Sequence, residues 1–175
     1  MMNGEPMNPI PSERRPATRA EARALAHPLR LRILRLCLDE ALTNREIADR
    51  LGQQPATVLY HVRTLVRTEF LRREAERRGR RGARELPYRA TRKSWALSFE
   101  PDSTGQLAMI DAVRAELADA GPEAVLTLSR LGPRLRPEQI EKLEQRLTEI
   151  IEQASADDDP AGEPIGLLIA LHRRR

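Results

Sequence analysis

Five arginines, Arg77, Arg78, Arg80, Arg81 and Arg84, fall within eight residues of one another, with Gly79 and Gly82 set among them. A guanidinium presents a planar fork of donors that matches a phosphate, and glycine lets the backbone turn tightly beside a phosphate strand or a minor groove. Just upstream, GQQPATVLYHVRTLVR holds a second group of polar side chains. Val58, Val62, Leu65 and Val66 recur at spacings of three and four and are expected to face inward. That leaves Gln54, Ala56, Thr57, Tyr60, His61, Arg63, Thr64 and Arg67 on the outward side, with Gln53 in the turn before them. Gln53 and Gln54 have the donor and acceptor pair that reads an adenine edge. Ala56 and the Thr57 methyl suit a thymine methyl, and Arg63 suits a guanine or a phosphate. Tyr60, His61 and Arg67 are assigned to the sugar-phosphate backbone, which fixes register without reading sequence. Taken alone, the same positions also fit the solvated face of a structural helix.

The elements that must hold these groups can be traced outward. Thr43 and Glu46 have capping-box spacing, Ile47, Ala48 and Leu51 form a small apolar face, and Gly52 is a natural stop. Pro55 then opens a second helix, so two short helices joined by a tight turn are predicted, with Gln54 to Arg67 as the outward one. Phe70 and Leu71 begin a strand, RGRRGAR makes a basic turn, and Leu86 to Thr91 returns, giving a β-hairpin with Arg77 to Arg84 at its tip. Pro87 assigns the returning strand to an edge. Before all this, Thr18 and Glu21 repeat the capping signal for a short helix ending near Ala26. Pro28 then starts a longer helix with Leu29, Ile33, Leu34 and Leu36 to Leu38 as its core face. Residues 1–17 contain four prolines and no period, and are expected to be a disordered leader.

Charge divides along the same line. Residues 1–93 carry 21 Lys/Arg against 11 Asp/Glu, whereas residues 94–175 carry 9 against 15, so a basic half precedes an acidic one. Clustered cations gain affinity for a polyanion by displacing its counterions, which makes the first half a candidate nucleic-acid binder. With five aromatic residues in the chain, stacking platforms for single strands are not expected. A single cysteine, Cys37, excludes an internal disulfide and sits in an apolar run as an inert thiol. No stretch approaches the ~18–20 apolar residues of a membrane span, and the expected location is the cytoplasm. An enzyme is not expected: the chain has no Gly-rich phosphate loop, nucleophile elbow or carboxylate-histidine cluster.

Beyond Ser94 a linker is predicted to Thr104, with Trp95, Leu97 and Phe99 alternating. A helix follows over Gln106 to Ala120, ended by Gly121. A strand is expected near Val125 to Arg130. Pro137 opens a helix with Ile140, Leu143, Leu147, Ile150 and Ile151 in one stripe, and Ile165 to Leu171 is expected as a buried strand. The fold class is therefore mainly α with a β-hairpin wing (α+β): a winged helix-turn-helix over 18–93, then a smaller helical and strand region over 105–175 for dimerisation or effector binding.

ALAHPLRLRILRLC, then TNREIADRLGQQPATVLYHVRTL, then an arginine-rich hairpin ending PYRAT, resembles the ArsR-type winged helix-turn-helix regulators over about residues 20–92. The resemblance implies a homodimer on palindromic double-stranded DNA, often a repressor released by a small-molecule effector, with Thr57, Tyr60, His61 and Arg63 as recognition-helix contacts. Two positions depart from the pattern. Leu59 stands where members carry a small serine, so the resemblance does not carry over an operator sequence. Glu69 stands where a glycine leaves the helix with positive φ, which puts strain or altered wing geometry at Thr68 to Phe70. The paired cysteines and the Asp/His tail of the metal-sensing members are missing, so no metal and no cofactor are expected. The competing reading is a winged helix used as a protein or RNA interaction module, because the fold alone does not dictate DNA.

Overall fold

A computed structural model of the chain describes residues 14–79, 82–99, 103–159 and 161–174. The chain divides into two compact units, one ending at Pro122 and one containing the residues from Glu123 onward.

The first unit begins with a short strand, β1 (Arg15–Pro16), and helix α1 (Arg19–Leu25). Both hydrogen bonds of the Thr18–Glu21 capping box are present. Glu21, only 5% exposed, also receives Arg15 through both guanidinium nitrogens (2.6 and 3.0 Å) and Lys93 (2.9 Å). Burial opposes its charge, yet Arg15 first and then Lys93 and Thr18 hold the carboxyl far below its usual range. Helix α2 (Pro28–Asp39) has Pro28 in its first turn and His27 as its cap, the His27 Nδ1 accepting from the Leu29 N–H. Its face buries Ile33 and Cys37, and burial pushes the Cys37 thiol up to about 12, in keeping with an inert core cysteine.

Strand β2 (Leu42–Thr43) leads into α3 (Asn44–Leu51), which Gly52 ends at φ 60°. Helix α4 (Pro55–Arg67) follows. The wing consists of β3 (Leu71–Arg73) and β6 (Pro87–Ala90) at its root and the outer pair β4 (Arg77–Arg78) and β5 (Arg84–Glu85). The root sheet has the order β2-β6-β3, so β6 is central rather than at an edge. Leu42–Thr43 is too short to show a period and was not foreseen as a partner. Pro87 is tolerated because it is the first residue of β6, opposite the last residue of β2, while its carbonyl accepts from the Glu74 N–H (2.9 Å).

Two other expectations change here. Order begins before Thr18, because β1 pairs in parallel with β7 (Leu97–Ser98); residues 1–13 of the expected leader lie outside the described residues. The expected linker accordingly contains a 3-10 turn (Lys93–Ala96) and a strand whose Leu97 is buried. Helix α5 (Ser103–Ala120) packs on α2, with Ala108 and Ala112 buried, and falls in the same compact unit as the wing. One core, with Ile33, Leu42, Ile47, Val58, Val62, Leu65 and Phe70 at its centre, holds the unit together.

The second unit contains helix α6 (Pro137–Ala156) and otherwise no α-helix or strand among its described residues, apart from a 3-10 turn at Pro122–Ala124. The strands expected at 125–130 and 165–171 are not formed, and Leu126, Leu128, Leu131, Ile165 and Leu167 are exposed. An apolar run becomes a strand only when its backbone groups find a ladder, and neither run has one among the described residues.

Candidate nucleic-acid interface

Helices α3 and α4 pack tightly, Ile47 and Ala48 against the stripe Val58, Val62 and Leu65. Two hydrogen bonds fix the turn between them. The Gln53 N–H donates to the Ala48 carbonyl (2.9 Å), and the Asn44 side-chain amide donates to the Pro55 carbonyl (2.9 Å). Asn44 thus joins the start of one helix to the start of the other, a role its sequence position did not reveal.

The outward face of α4 carries most of the expected side chains. Gln53, Gln54, Ala56, Thr57, Arg63 and Arg67 are exposed, and Tyr60 is 67% exposed. Thr64 is half-buried and its hydroxyl donates to the Tyr60 carbonyl (3.2 Å), so it faces the helix as much as solvent. Leu59 is likewise half-buried.

His61 is a correction. It is only 6% exposed, with its ring 4.5 Å from that of His27 and its Nδ1 3.4 Å from Arg30 Nη1. Arg30 itself donates to the Arg23 carbonyl (2.7 Å) and to that of Ala24, at the C-terminal end of α1. His61 therefore joins α4 to the α1–α2 corner and does not face outward. Its spacing contained the signal: it lies three residues after Val58 and four before Leu65, on the apolar stripe itself, and only its polar chemistry suggested otherwise. Burial, then His27 and Arg30, lower its pKa to about 4, and burial with Arg30 lowers that of His27, so the pair is neutral near pH 7.

The chain leaves α4 for the wing through Glu69, which takes φ 61° as the glycine-like position requires. Its carbonyl accepts from Thr91 Oγ1 (2.7 Å) and its carboxylate pairs with Lys93 (2.9 Å), contacts that hold a conformation costly for a residue with a Cβ. In the outer hairpin Arg77 faces Glu85 and Arg78 faces Arg84; the Gly79 N–H donates to the Ala83 carbonyl (2.8 Å), and Gly82 has φ 78°. Arg80 and Arg81 lie outside the described residues.

The arginines of the wing are not equivalent. Arg77 grips both carboxylate oxygens of Glu46 (2.6 and 2.7 Å) and reaches Glu85 (3.3 Å), so it ties the wing to α3. Burial works against the Glu46 charge, but Thr43 and Arg77 outweigh it and hold the carboxyl below its ordinary range. Arg84 pairs with Glu76 (2.5 Å) while remaining largely open to solvent, and Arg78 is exposed. Glutamates at 46, 76 and 85 thus offset part of the arginine cluster, an effect that a count of arginines alone had missed.

Among the described residues no group of three or more His, Cys, Asp or Glu side chains is placed to hold a metal ion, and no helix is long and apolar enough to cross a membrane.

Helix, tight turn, helix and a basic two-tier hairpin define a winged helix-turn-helix. Residues 25–74 match a family described as "Helix-turn-helix domain", which covers the two helices and the start of the wing. Two mutant forms of Lactococcus lactis ZitR, one of them an apo form, are among the similar solved structures, each at 20% identity and a TM-score of 0.33. The alignments cover 72% of this chain and 73% of that one in the first case, and 76% and 86% in the second. No curated protein matches the chain.

Proposed function

We propose that this chain is a sequence-specific regulator of transcription that binds double-stranded DNA as a homodimer in the cytoplasm and represses by occupying its operator. The observation that carries this reading is the exposed edge of α4, from Gln53 to Arg67, held by α3 and flanked by a basic wing. A rigid helix with amides and methyls at its N-terminal end and arginines further along suits base edges first and phosphates second. Gln53, Gln54, Ala56 and Thr57 are assigned to bases, Arg63 to a guanine or phosphate, and Tyr60 and Arg67 to the backbone. Thr64 plays a minor part. In the wing, Arg78, Arg80, Arg81 and Arg84 are assigned to phosphates or a minor groove, while Arg77 positions the wing. Release by a small-molecule effector belongs to the same proposal.

The test is binding to a random duplex followed by fluorescence anisotropy as salt is raised. Each phosphate neutralised contributes a slope of about −0.9 in log affinity against log salt, so affinity should fall by decades between about 50 and 200 mM. Arg78→Ala should weaken binding to all sequences and reduce the slope by about one, whereas Gln54→Ala should change which sequence is preferred at a cost of about 1–3 kcal/mol. Salt-independent association, or preference for a protein or RNA partner over duplex DNA, would replace this reading with that of an interaction module.

A further inference from the structure

The guanidinium of Arg30, on α2, joins two other helices. Its Nη2 donates to the Arg23 carbonyl (2.7 Å) and its Nε to that of Ala24, both in the last turn of α1, while its Nη1 lies 3.4 Å from the His61 Nδ1 of α4. One planar group spans the gap, so the end of α1 lies beside the middle of the recognition helix. His27, the cap of α2, closes the joint, its ring 4.5 Å from that of His61. Tyr60, exposed on α4, stands edge-on to His61 with ring centroids 5.2 Å apart. The α1–α2 corner therefore borders the outward face of α4 on the His61 side.

Arg23 is the cation that this corner presents. Glu21, Ala24 and Leu25 of the same helix are buried, whereas Arg23 is exposed and its side chain makes no ion pair or hydrogen bond among the described residues. Carboxylates that could neutralise it are scarce here. Between Glu21 and Asp39 the chain has four arginines and no Asp or Glu, and between Asp49 and Glu69 it again has no Asp or Glu. Glu21 is buried and taken up by Arg15 and Lys93, and Asp39 lies at the far end of α2. The wing is the opposite case, because Arg77 is held by Glu46 and Arg84 by Glu76. An arginine with no carboxylate partner has its whole charge and its fork of donors to offer a phosphate. We infer that the α1–α2 corner is a third contact element on duplex DNA, in which Arg23 holds a backbone phosphate beside the recognition helix and Arg30 is the positioning residue that keeps the corner against α4. A contact to phosphate anchors the protein and reads no base.

This inference rests on the duplex-binding reading and adds to helix and wing a contact that neither supplies. Anisotropy titrations of the full chain with a random duplex, at a series of salt concentrations, test it. Arg23→Ala should reduce the salt slope by about 0.9, which amounts to an affinity loss of about eight-fold at about 0.1 M salt. The sequence preference should stay as it is, and Arg23→Lys, which keeps the charge, should recover most of the loss. Alanine suits an exposed helical position, so the thermal transition of Arg23→Ala should match that of the wild type. Arg30 is tested by coupling: in an Arg30→Met background Arg23→Ala should change the slope by clearly less than it does alone, and full additivity would overturn the positioning role. An unchanged slope for Arg23→Ala, in a chain whose slope Arg78→Ala does reduce, would overturn the third contact and leave the duplex reading standing. An equal loss from Arg146→Ala, an exposed arginine of α6, would overturn it as well, since the effect would then belong to net charge and not to place. A chain that binds no duplex at all would sink both.

Discussion

The winged unit and the C-terminal unit are both built from amphipathic sequence, yet only one of them buries it. In the first, Ile33, Cys37, Ile47, Val58 and Val62 are wholly enclosed, and even the polar Glu21 and His61 are drawn into the interior with partners. In the second, α6 has an apolar stripe as regular as that of α4, but Ile140, Leu143, Leu147 and Ile151 are no better than half-buried. Periodicity tells which side of a helix wants cover, and it is silent on whether the same chain supplies that cover.

The contrast can be broken most severely at Glu21, which gathers β1, the start of α1 and the turn after β6 into one place. Glu21→Ala should cost about 3 kcal/mol, because Arg15 and the Thr18 N–H lose their acceptor and Lys93 loses one of its partners, and thermal denaturation would show it. The Glu21 carboxyl is held below its ordinary 4.5, so its contribution is present above that pH and lost as pH falls through the lower value of the folded state. An acid limb unchanged by the substitution would show that the carboxylate is not engaged as described.

His61 sharpens the comparison next. Its folded pKa of about 4 lies below the ordinary 6.5, so above pH 6.5 the group is neutral in folded and unfolded chains alike and costs nothing. As pH falls from 6.5 towards 4 the unfolded chain takes up a proton that the folded chain refuses, and stability should drop by about 2 kcal/mol after allowance for solvent screening. Chemical denaturation across that range should show the fall, and His61→Leu should flatten it while sparing duplex affinity. A large loss of affinity at pH 7 would return His61 to the DNA-facing side.

A direct contrast between the units comes from truncating one side chain in each. Ile47→Val, in the enclosed core, should cost about 1 kcal/mol. Leu128→Ala should change the unfolding of the monomeric winged unit by less than about 0.5 kcal/mol. Equal effects would mean that the two units are not so different. The smallest expected change is at Glu69, where glycine relieves the positive φ. Glu69→Gly should stabilise by about 0.5 kcal/mol, the relief of strain outweighing the exposed pair with Lys93 and the greater freedom of the unfolded chain.

Much of the winged unit was legible because its signals are local. The Thr18–Glu21 and Thr43–Glu46 boxes, Pro28 and Pro55 in first turns, and Gly52 as a left-handed stop all act within four residues, and the structure realises each of them. The positive φ of Glu69 was legible for the same reason, since a turn of that shape demands it whatever the residue. The candidate site was legible as a surface, with Gln53, Gln54, Ala56, Thr57, Tyr60, Arg63 and Arg67 outward, but not in its partners.

What sequence by itself determined, then, is where helices start and stop and which way most of their side chains lean, because capping and periodicity need no distant partner. Only tertiary structure decided that β2 and β7 exist, that Pro87 lies in a central strand, that His61 turns inward to His27, and that Arg77 holds Glu46 and so steadies the wing. Each of these depends on a group brought from far along the chain, and no spacing rule reaches that far. The unformed runs at 125–131 and 165–171 follow from the same physics: a strand's hydrogen bonds belong to its neighbour as much as to itself.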